Sequence, residues 1–217
     1  MKYKIKKDEA REICGHTVYR IYAVKDFKPE HWHEIHAGDR GGWIESEDNL
    51  SQDGGCWIDG DAVVYQGAKV FEDAVIAGYA VESGCAQMYG DAHAYDYAQV
   101  YGGAQVYGGA QVYGDAQVYG GARVYGNAQV YGNTHVSDHA EVYGNAHVSD
   151  HAEVYGSAKV TGWAEVCDQA KVFGDAMLDG HTLINDEERV NRFSLAQLAN
   201  QLVRALDRVA EACNRQG

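Results

Sequence analysis

The 217-residue sequence has little of several features that usually organise a chain. Its one proline is Pro29, which excludes a rigid proline-rich linker. No apolar run approaches the ~20 residues that a membrane helix needs, so we expect no membrane contact, and the first residues lack the apolar stretch of a secretion signal. The composition, with 46% hydrophobic and 23% charged residues, is nevertheless that of a folded protein and excludes general disorder.

Cysteine is scarce and irregularly spaced. The sequence contains no C-x-x-C pair, and its five cysteines are Cys14, Cys56, Cys85, Cys167 and Cys213. An odd, scattered set is typical of reduced thiols rather than of a disulfide framework. We therefore expect the protein to function in the cytoplasm.

What the sequence has in abundance is one short phrase. Residues 98–133 consist of six near-copies of AQVYGG, and Ala recurs every six residues over 62–176, with Thr134 the one exception. Val comes two residues after most of these alanines, and the pattern breaks at Glu82 and Ala94. A fixed short period without insertions indicates an array in which each unit packs on its neighbours.

A single unit already predicts local structure. In A-Q-V-Y, apolar Ala and Val alternate with Gln and Tyr, which is the two-residue period of a β-strand. The next two residues are Gly and then Asp, Asn or Gly, which tolerate positive φ and predict a corner. An α-helix is excluded because a glycine at every sixth position would cost about 1 kcal/mol each.

An aliphatic residue followed four positions later by a small residue, repeated every six, resembles the hexapeptide repeat of left-handed parallel β-helices. The resemblance implies three hexapeptides for each eighteen-residue coil, and between six and seven coils. The segment AGDRGGWIESEDNLSQDGGCWIDGDAVVYQGAKV, residues 37–70, further resembles the YdcK-like hexapeptide-repeat proteins, a group associated with phages and prophages. This resemblance places the protein in a bacterial host cell, and it suggests acyl transfer by fold alone.

We therefore predict an all-β solenoid, a left-handed parallel β-helix with about 18 residues per coil. Residues 1–40 are expected to form a small strand-rich cap, and residues 41–184 the hexapeptide-repeat solenoid. We predict that residues 185–217 form an amphipathic α-helix, because leucines recur at helical spacing and Ser194 with Gln197 fits a capping box. This helix either covers the last coil or pairs with a partner chain.

Tyrosine follows the repeat closely. Eleven of the sixteen tyrosines occupy the same outward position in the unit, so an eighteen-residue coil places them in columns. The longest predicted column is Phe71, Tyr89, Tyr107, Tyr125 and Tyr143. Such rings either stabilise successive coils by stacking or form a protein-binding surface, since tyrosine is enriched where proteins make their strongest contacts.

Charge is distributed unevenly. Residues 29–97 carry fourteen acids against two bases, a net charge of −12, whereas residues 1–28 carry +4 and residues 98–134 are neutral. An acidic surface repels nucleic acid and attracts a basic protein surface. The acidic residues predicted to bind a partner are Asp59, Asp61, Glu72, Asp73, Glu82 and Asp91.

Two histidines are the best candidates for catalysis. His139 and His151 lie at corners in the duplicated phrase HVSDHAEV, where a general base could stand. A base also needs a pocket, and no loop leaves the predicted coils to enclose a substrate. Dense histidine before the first coil could hold zinc, but this spacing is a weak metal pattern, so we expect neither a metal nor a cofactor; the residues are His31, His33 and His36.

These observations together favour a non-enzymatic, phage-type β-solenoid that binds protein. The partner is either a host factor or a second copy in a homo-oligomer. In its most specific form, the hypothesis is that the protein is an acidic inhibitor. It would mimic nucleic acid and act on a host protein that handles nucleic acid. The alternative hypothesis is a hexapeptide-repeat acyltransferase that depends on CoA.

Overall fold

A computed structural model describes residues 1–191 and confirms the β-solenoid with eighteen residues per coil. Val100 pairs with Val118 and Val118 with Val136, each partner one coil further along the chain. The array has about eight turns, more than the six to seven expected, because its strands begin before Ala62 and continue past Ala176. The left-handed sense of the coil stays a prediction.

The strands are short from the fourth onward: each has two residues and begins six residues after the one before. In chain order the elements are β1 (Tyr3–Ile13), β2 (His16–Ala23), β3 (Arg40–Ile44), a 3-10 turn (Glu47–Asn49), β4 (Trp57–Ile58), β5 (Val63–Val64), β6 (Lys69–Val70), β7 (Val75–Ile76), β8 (Val81–Glu82), β9 (Gln87–Met88), β10 (His93–Ala94), β11 (Gln99–Val100), β12 (Gln105–Val106), β13 (Gln111–Val112), β14 (Gln117–Val118), β15 (Arg123–Val124), β16 (Gln129–Val130), β17 (His135–Val136), β18 (Glu141–Val142), β19 (His147–Val148), β20 (Glu153–Val154), β21 (Lys159–Val160), β22 (Glu165–Val166), β23 (Lys171–Val172), β24 (Met177–Leu178), β25 (Leu183–Ile184) and β26 (Arg189–Val190).

These strands stack into three parallel sheets that form the sides of the solenoid. Face 1 runs from β5 to β26 in steps of three strands, face 2 from β6 to β24, and face 3 from β4 to β25. Backbone amides donate to carbonyls one coil away, as Gln99 N does to Ala116 O at 2.9 Å. Each coil is therefore bonded to the next along its whole perimeter.

The alternation read from one unit is confirmed. The inward Ala and Val side chains are buried, with Val106, Val112 and Val118 at 0% exposure. The corners need positive φ, which Gly102 supplies at +71° and Asp138 at +60°. Aspartate is among the few residues that adopt this left-handed conformation, which explains why it replaces glycine at several corners.

A hairpin closes the edge where the array begins. Strands β1 and β2 are antiparallel, and β2 pairs with β3, which runs parallel to β5 on face 1. Arg20 of β2 is buried and donates to the carbonyl oxygens of Gly41 and Gly60 at 2.8 and 2.6 Å. The cap thus occupies backbone groups that an exposed edge would leave unpaired.

The loop after the hairpin covers the beginning of face 3. Phe27 packs edge-on against Trp57 and Trp32 against His93, with ring centroids 5.4 Å apart in both pairs. Trp57 and Val75 occupy outward positions in the repeat, yet both are at 0% exposure. The loop therefore buries apolar side chains that the repeat alone would expose to water.

At the other end, the array is longer than expected. Strand β26 pairs with β23 in the regular register, so residues 185–191 belong to the solenoid and not to the predicted helical segment. The rest of the predicted C-terminal helix lies outside the described residues. Within residues 1–191, no helix has the length and hydrophobicity required to cross a membrane.

Glu82 corrects the predicted acidic surface. It occupies the inward position between Val64 and Val100 and is 1% exposed, so it cannot contact a partner. Within the described residues neither carboxyl oxygen has a hydrogen-bond partner, and burial raises the pKa of Glu82 well above its usual range. The same turn carries Met88 and Ala94 at the other inward positions. A protonated carboxyl therefore stands in the core where the repeat has valine.

The burial of Glu82 predicts a pH-dependent stability. In the unfolded chain Glu82 ionises near pH ~4.3, whereas the fold keeps it protonated. Its contribution is therefore most favourable below that pH, and the free energy of unfolding falls by about 1.4 kcal/mol per pH unit above it, until the folded-state pKa is reached. We expect Glu82→Val to raise the urea midpoint by a margin that grows as the pH rises above about 5.

The matched control is Glu165→Val, because Glu165 is exposed at an outward position of face 3. That variant should change the midpoint little, and by the same amount at each pH. A Glu82→Val effect that does not vary with pH would show that the carboxyl is ionised in the fold.

Candidate functional site

The longest aromatic column lies on face 2. Phe71, Tyr89, Tyr107, Tyr125 and Tyr143 stack in succession, with ring centroids 4.8 to 4.9 Å apart and planes within 7° of parallel. These distances equal the spacing between coils, because each ring stands directly above the ring eighteen residues earlier. The predicted column is thus confirmed as geometry, and its role as a binding surface stays a prediction.

Shorter columns lie on the other faces. Tyr95, Tyr113 and Tyr131 stack on face 3, and Tyr101 stacks on Tyr119 on face 1 at 5.0 Å. A further pair, not expected from the repeat, is formed by two corner residues that are more than half exposed: Tyr79 and Tyr97, 5.2 Å apart. The middle of the solenoid therefore presents stacked rings on all three sides.

Tyrosine and glutamine side chains are linked between coils. The hydroxyl of Tyr101 donates to Gln117 Oε1 at 3.2 Å, and the hydroxyl of Tyr125 donates to Glu141 Oε2 at 3.0 Å. Desolvation between stacked neighbours raises the pKa of Tyr95 to about 12. Tyrosine hydroxyls thus bond to the residue at the glutamine position of the next coil, which makes this part of the surface regular.

Two of the predicted acidic residues are used by the cap. Asp61 Oδ1 accepts hydrogen bonds from Arg20 at 2.7 Å and from Trp43 Nε1 at 3.3 Å, and the Arg20 guanidinium lowers the pKa of this carboxyl. Asp59 Oδ2 lies 3.7 Å from His33 Nε2. The basic N-terminal segment therefore compensates part of the acidic charge within the molecule.

Two more acidic residues bond to the corners. Glu72 Oε2 accepts the amide of Gly90 at 2.8 Å, and Asp73 Oδ1 accepts the amide of Gly55 at 3.1 Å, each across one coil. The same contact is repeated further along, where Asp96 accepts from Gly114, Asp138 from Gly156 and Asp168 from Asp186. These carboxylates join successive corners while their exposed oxygens still face solvent.

The two histidines proposed as general bases stay apart. His139 and His151 are both exposed, at corners that follow face 1 and face 3 respectively. Within residues 1–191, neither imidazole is hydrogen-bonded to a carboxylate that could orient it. The described surface therefore brings no second catalytic group to either histidine.

The histidines before the first coil are separated as well. His33 faces Asp59 and His36 faces Asp26, whereas His31 lies 3.9 Å from Glu30. His31 instead forms a cluster with Glu30 and Asp91, in which one ligand atom of each residue lies within 4.8 Å of the others. The three histidines thus do not form the site that their spacing suggested.

Sequence reasoning missed the residues around this cluster. His93 occupies an outward position but is only 8% exposed, and its Nε2 has no hydrogen-bond partner among the described residues. Burial lowers the pKa of His93, which keeps the ring neutral. The signal available in the sequence was the break in the repeat at His93 and Ala94, where Gln and Val are usual.

The fold and its surfaces define a β-solenoid protein with stacked aromatic columns. No family model matches the chain. Part of the chain is similar to the uncharacterized acetyltransferase YdcK of Escherichia coli (strain K12), with 38% identity over 63 residues. The match covers 29% of this chain and 18% of YdcK, so the chain spans less than a fifth of that protein's length. This is a distant, partial similarity, and the phage association stays a prediction.

The face 2 column predicts unequal effects of removing its rings. A stacked aromatic pair contributes about 0.5–1.5 kcal/mol beyond its buried area. Tyr107 contacts two neighbouring rings and Tyr143 contacts one, on Tyr125. We expect Tyr107→Ser to lower the free energy of unfolding about twice as much as Tyr143→Ser, measured by urea denaturation. Equal losses would mean that the stacking contributes little.

Proposed function

We propose that this chain is a non-enzymatic binding scaffold whose tyrosine columns contact a protein partner. The observation that carries the proposal is the face 2 column: five rings, in register over roughly 19 Å at ~4.8 Å per coil. Tyrosine combines a large apolar face with a polar hydroxyl, so it can make both buried apolar contacts and solvent-exposed hydrogen bonds at an interface. A rigid array also loses little conformational freedom on binding.

The low charge of the middle coils supports the same proposal. Between residues 98 and 134 the only charged side chains are Asp115 and Arg123. On face 2 the first half of the column is flanked by Gln87 and Gln105, which offer both hydrogen-bond donors and acceptors, and the second half by the ion pair of Arg123 with Glu141. Charged residues are depleted at the centre of protein interfaces, and the part of the column beside Gln87 and Gln105 has that composition.

The acidic coils beside the column suit a basic partner. Glu72 and Asp96 are exposed, although each also bonds to a corner amide. Their remaining lone pairs and charge act at longer range, where they speed the encounter with a positively charged surface. The proposed partner is a basic protein, such as one that handles nucleic acid, or a second copy of this chain. We propose the cytoplasm of a bacterial host as the place where they meet.

The test places charge on one face at a time. Gln87→Lys with Gln105→Lys introduces two cations beside the face 2 column without removing a ring. Quantitative pull-down from a host lysate, followed by mass spectrometry, should show loss of specific partners with this variant. The matched control is Gln111→Lys with Gln129→Lys, which adds the same two cations at equivalent positions of face 3.

One result would contradict the proposal, and another would require a second pair of variants. If the face 2 variant retains every protein captured by the unmodified chain, then the column is not the interface. If both variants lose binding while their melting temperatures fall, the effect is on stability. The conservative pair Gln87→Asn and Gln105→Asn then repeats the test without added charge, and full capture by that pair at unchanged stability is expected.

The second candidate function is CoA-dependent acyl transfer, which the similarity to YdcK favours over the scaffold. His139 or His151 would then act as general base, and a neighbouring surface would have to complete the pocket around the acyl group. The described coils alone offer no enclosing loop, because strands follow at six-residue steps from Trp57 to Val190.

Isothermal titration with acetyl-CoA distinguishes the two candidates. For the scaffold we expect no saturable heat, since nothing in residues 1–191 surrounds a cofactor. A micromolar dissociation constant that is lost in His139→Ala or His151→Ala would establish acyl transfer as the better hypothesis. Lys159→Ala, an exposed substitution on face 2, is the control for a general effect of surface change.

A further inference from the structure

The cluster of Glu30, His31 and Asp91 joins two parts of the chain that are about sixty residues apart. Glu30 and His31 lie in the loop that covers face 3, and Asp91 lies at the corner between β9 and β10. Each residue has one potential ligand atom within 4.8 Å of those of the other two, and His31 Nε2 is 3.9 Å from Glu30 Oε1. Two carboxylates and one imidazole therefore converge where the loop meets the solenoid.

A second observation beside the cluster concerns nitrogen atoms without partners. His93 follows Asp91 by two residues and is 8% exposed, yet its Nε2 has no hydrogen-bond partner within the described residues. Its ring packs edge-on against Trp32, next to His31 in the chain. The buried indole Nε1 of Trp32 is likewise without a partner there, but as a hydrogen-bond donor it cannot bind a metal ion. Buried polar atoms are nearly always satisfied, so a buried imidazole nitrogen with no side-chain partner beside the cluster supports a bound ligand there.

We infer that Glu30, His31 and Asp91 bind a divalent first-row transition-metal ion beside the buried ring of His93. Two carboxylates and a neutral imidazole balance the charge of such an ion. The imidazole favours zinc, cobalt or nickel over calcium and magnesium, which prefer oxygen ligands alone. Three protein ligands with a remaining open position are a common zinc arrangement.

The location gives this metal a structural consequence. The loop contributes Phe27 and Trp32, which bury Trp57 and His93 on face 3. An ion held jointly by the loop and the third coil fixes the loop on the solenoid. Because the ion binds the folded arrangement and not the unfolded chain, its binding raises the stability of the cap.

Isothermal titration of Zn²⁺ into the full chain, freed of metal by a chelator, is the direct test. We expect one tightly bound ion per chain, and an affinity at least tenfold lower in Asp91→Asn and in His31→Asn. Asparagine is chosen at position 31 because His31 has a φ of +57°, which asparagine tolerates. His33→Asn is the matched control and should bind as the unmodified chain does, since His33 faces Asp59 instead.

Co²⁺ supplies an independent readout. Bound beside His31, it should quench the fluorescence of Trp32, and Trp32→Phe should remove most of the quenching. The inference is overturned if no zinc binds, or if zinc binds with equal affinity to the Asp91→Asn and His31→Asn chains, which would assign it to the other histidines. Unchanged melting of the metal-free variants confirms that both fold.

Discussion

The register between coils is the constraint on which the rest of this structure depends. Backbone amides donate to carbonyls one coil away, as Gln99 N does to Ala116 O, so positions eighteen residues apart superpose in successive coils. The same superposition creates the closed aliphatic core, the aromatic columns and the ladders of carboxylates at the corners. None of these needs a separate explanation, because one backbone geometry repeated about eight times places every side chain.

The parts of the fold that repeat could be predicted from the sequence. Strand, corner, core and column all follow from a six-residue unit whose polar and apolar positions alternate. The cap could not be predicted in the same way, because its contacts join residues without any period: Arg20 with Asp61, and His31 with Asp91. Glu82 was wrongly predicted to lie on the acidic surface, because the prediction followed its charge and not its inward position in the repeat.

The candidate binding surfaces also include a part that could be predicted from the sequence and a part that could not. The face 2 column was predictable because it is periodic, whereas the uses of the acidic residues were not. Asp61 is bonded to the cap and Glu72 to a corner amide, so much of the acidity near the N-terminal end has an internal role. In the middle coils, side-chain contacts between coils are mostly those of tyrosine with glutamine, together with the ion pair of Arg123 with Glu141. Surface that the fold does not use for its own stability is the surface that a partner can contact.

Glu82 and Thr134 have a further consequence for how the chain reaches this structure. Six nearly identical units in succession leave the pairing register between coils poorly defined. If the chain paired one coil out of register, valine would still lie on valine and tyrosine on tyrosine, at almost no energetic cost. Side chains that differ from the repeat remove this degeneracy, because a slipped chain would place the carboxyl of Glu82 or the buried hydroxyl of Thr134 in a layer shaped for other residues. The cap, bonded to the first coils through Arg20, fixes the starting point. Irregular residues that lower stability thus specify the register of the coils. A chain with a more regular repeat would fold into a mixture of arrays that differ in register.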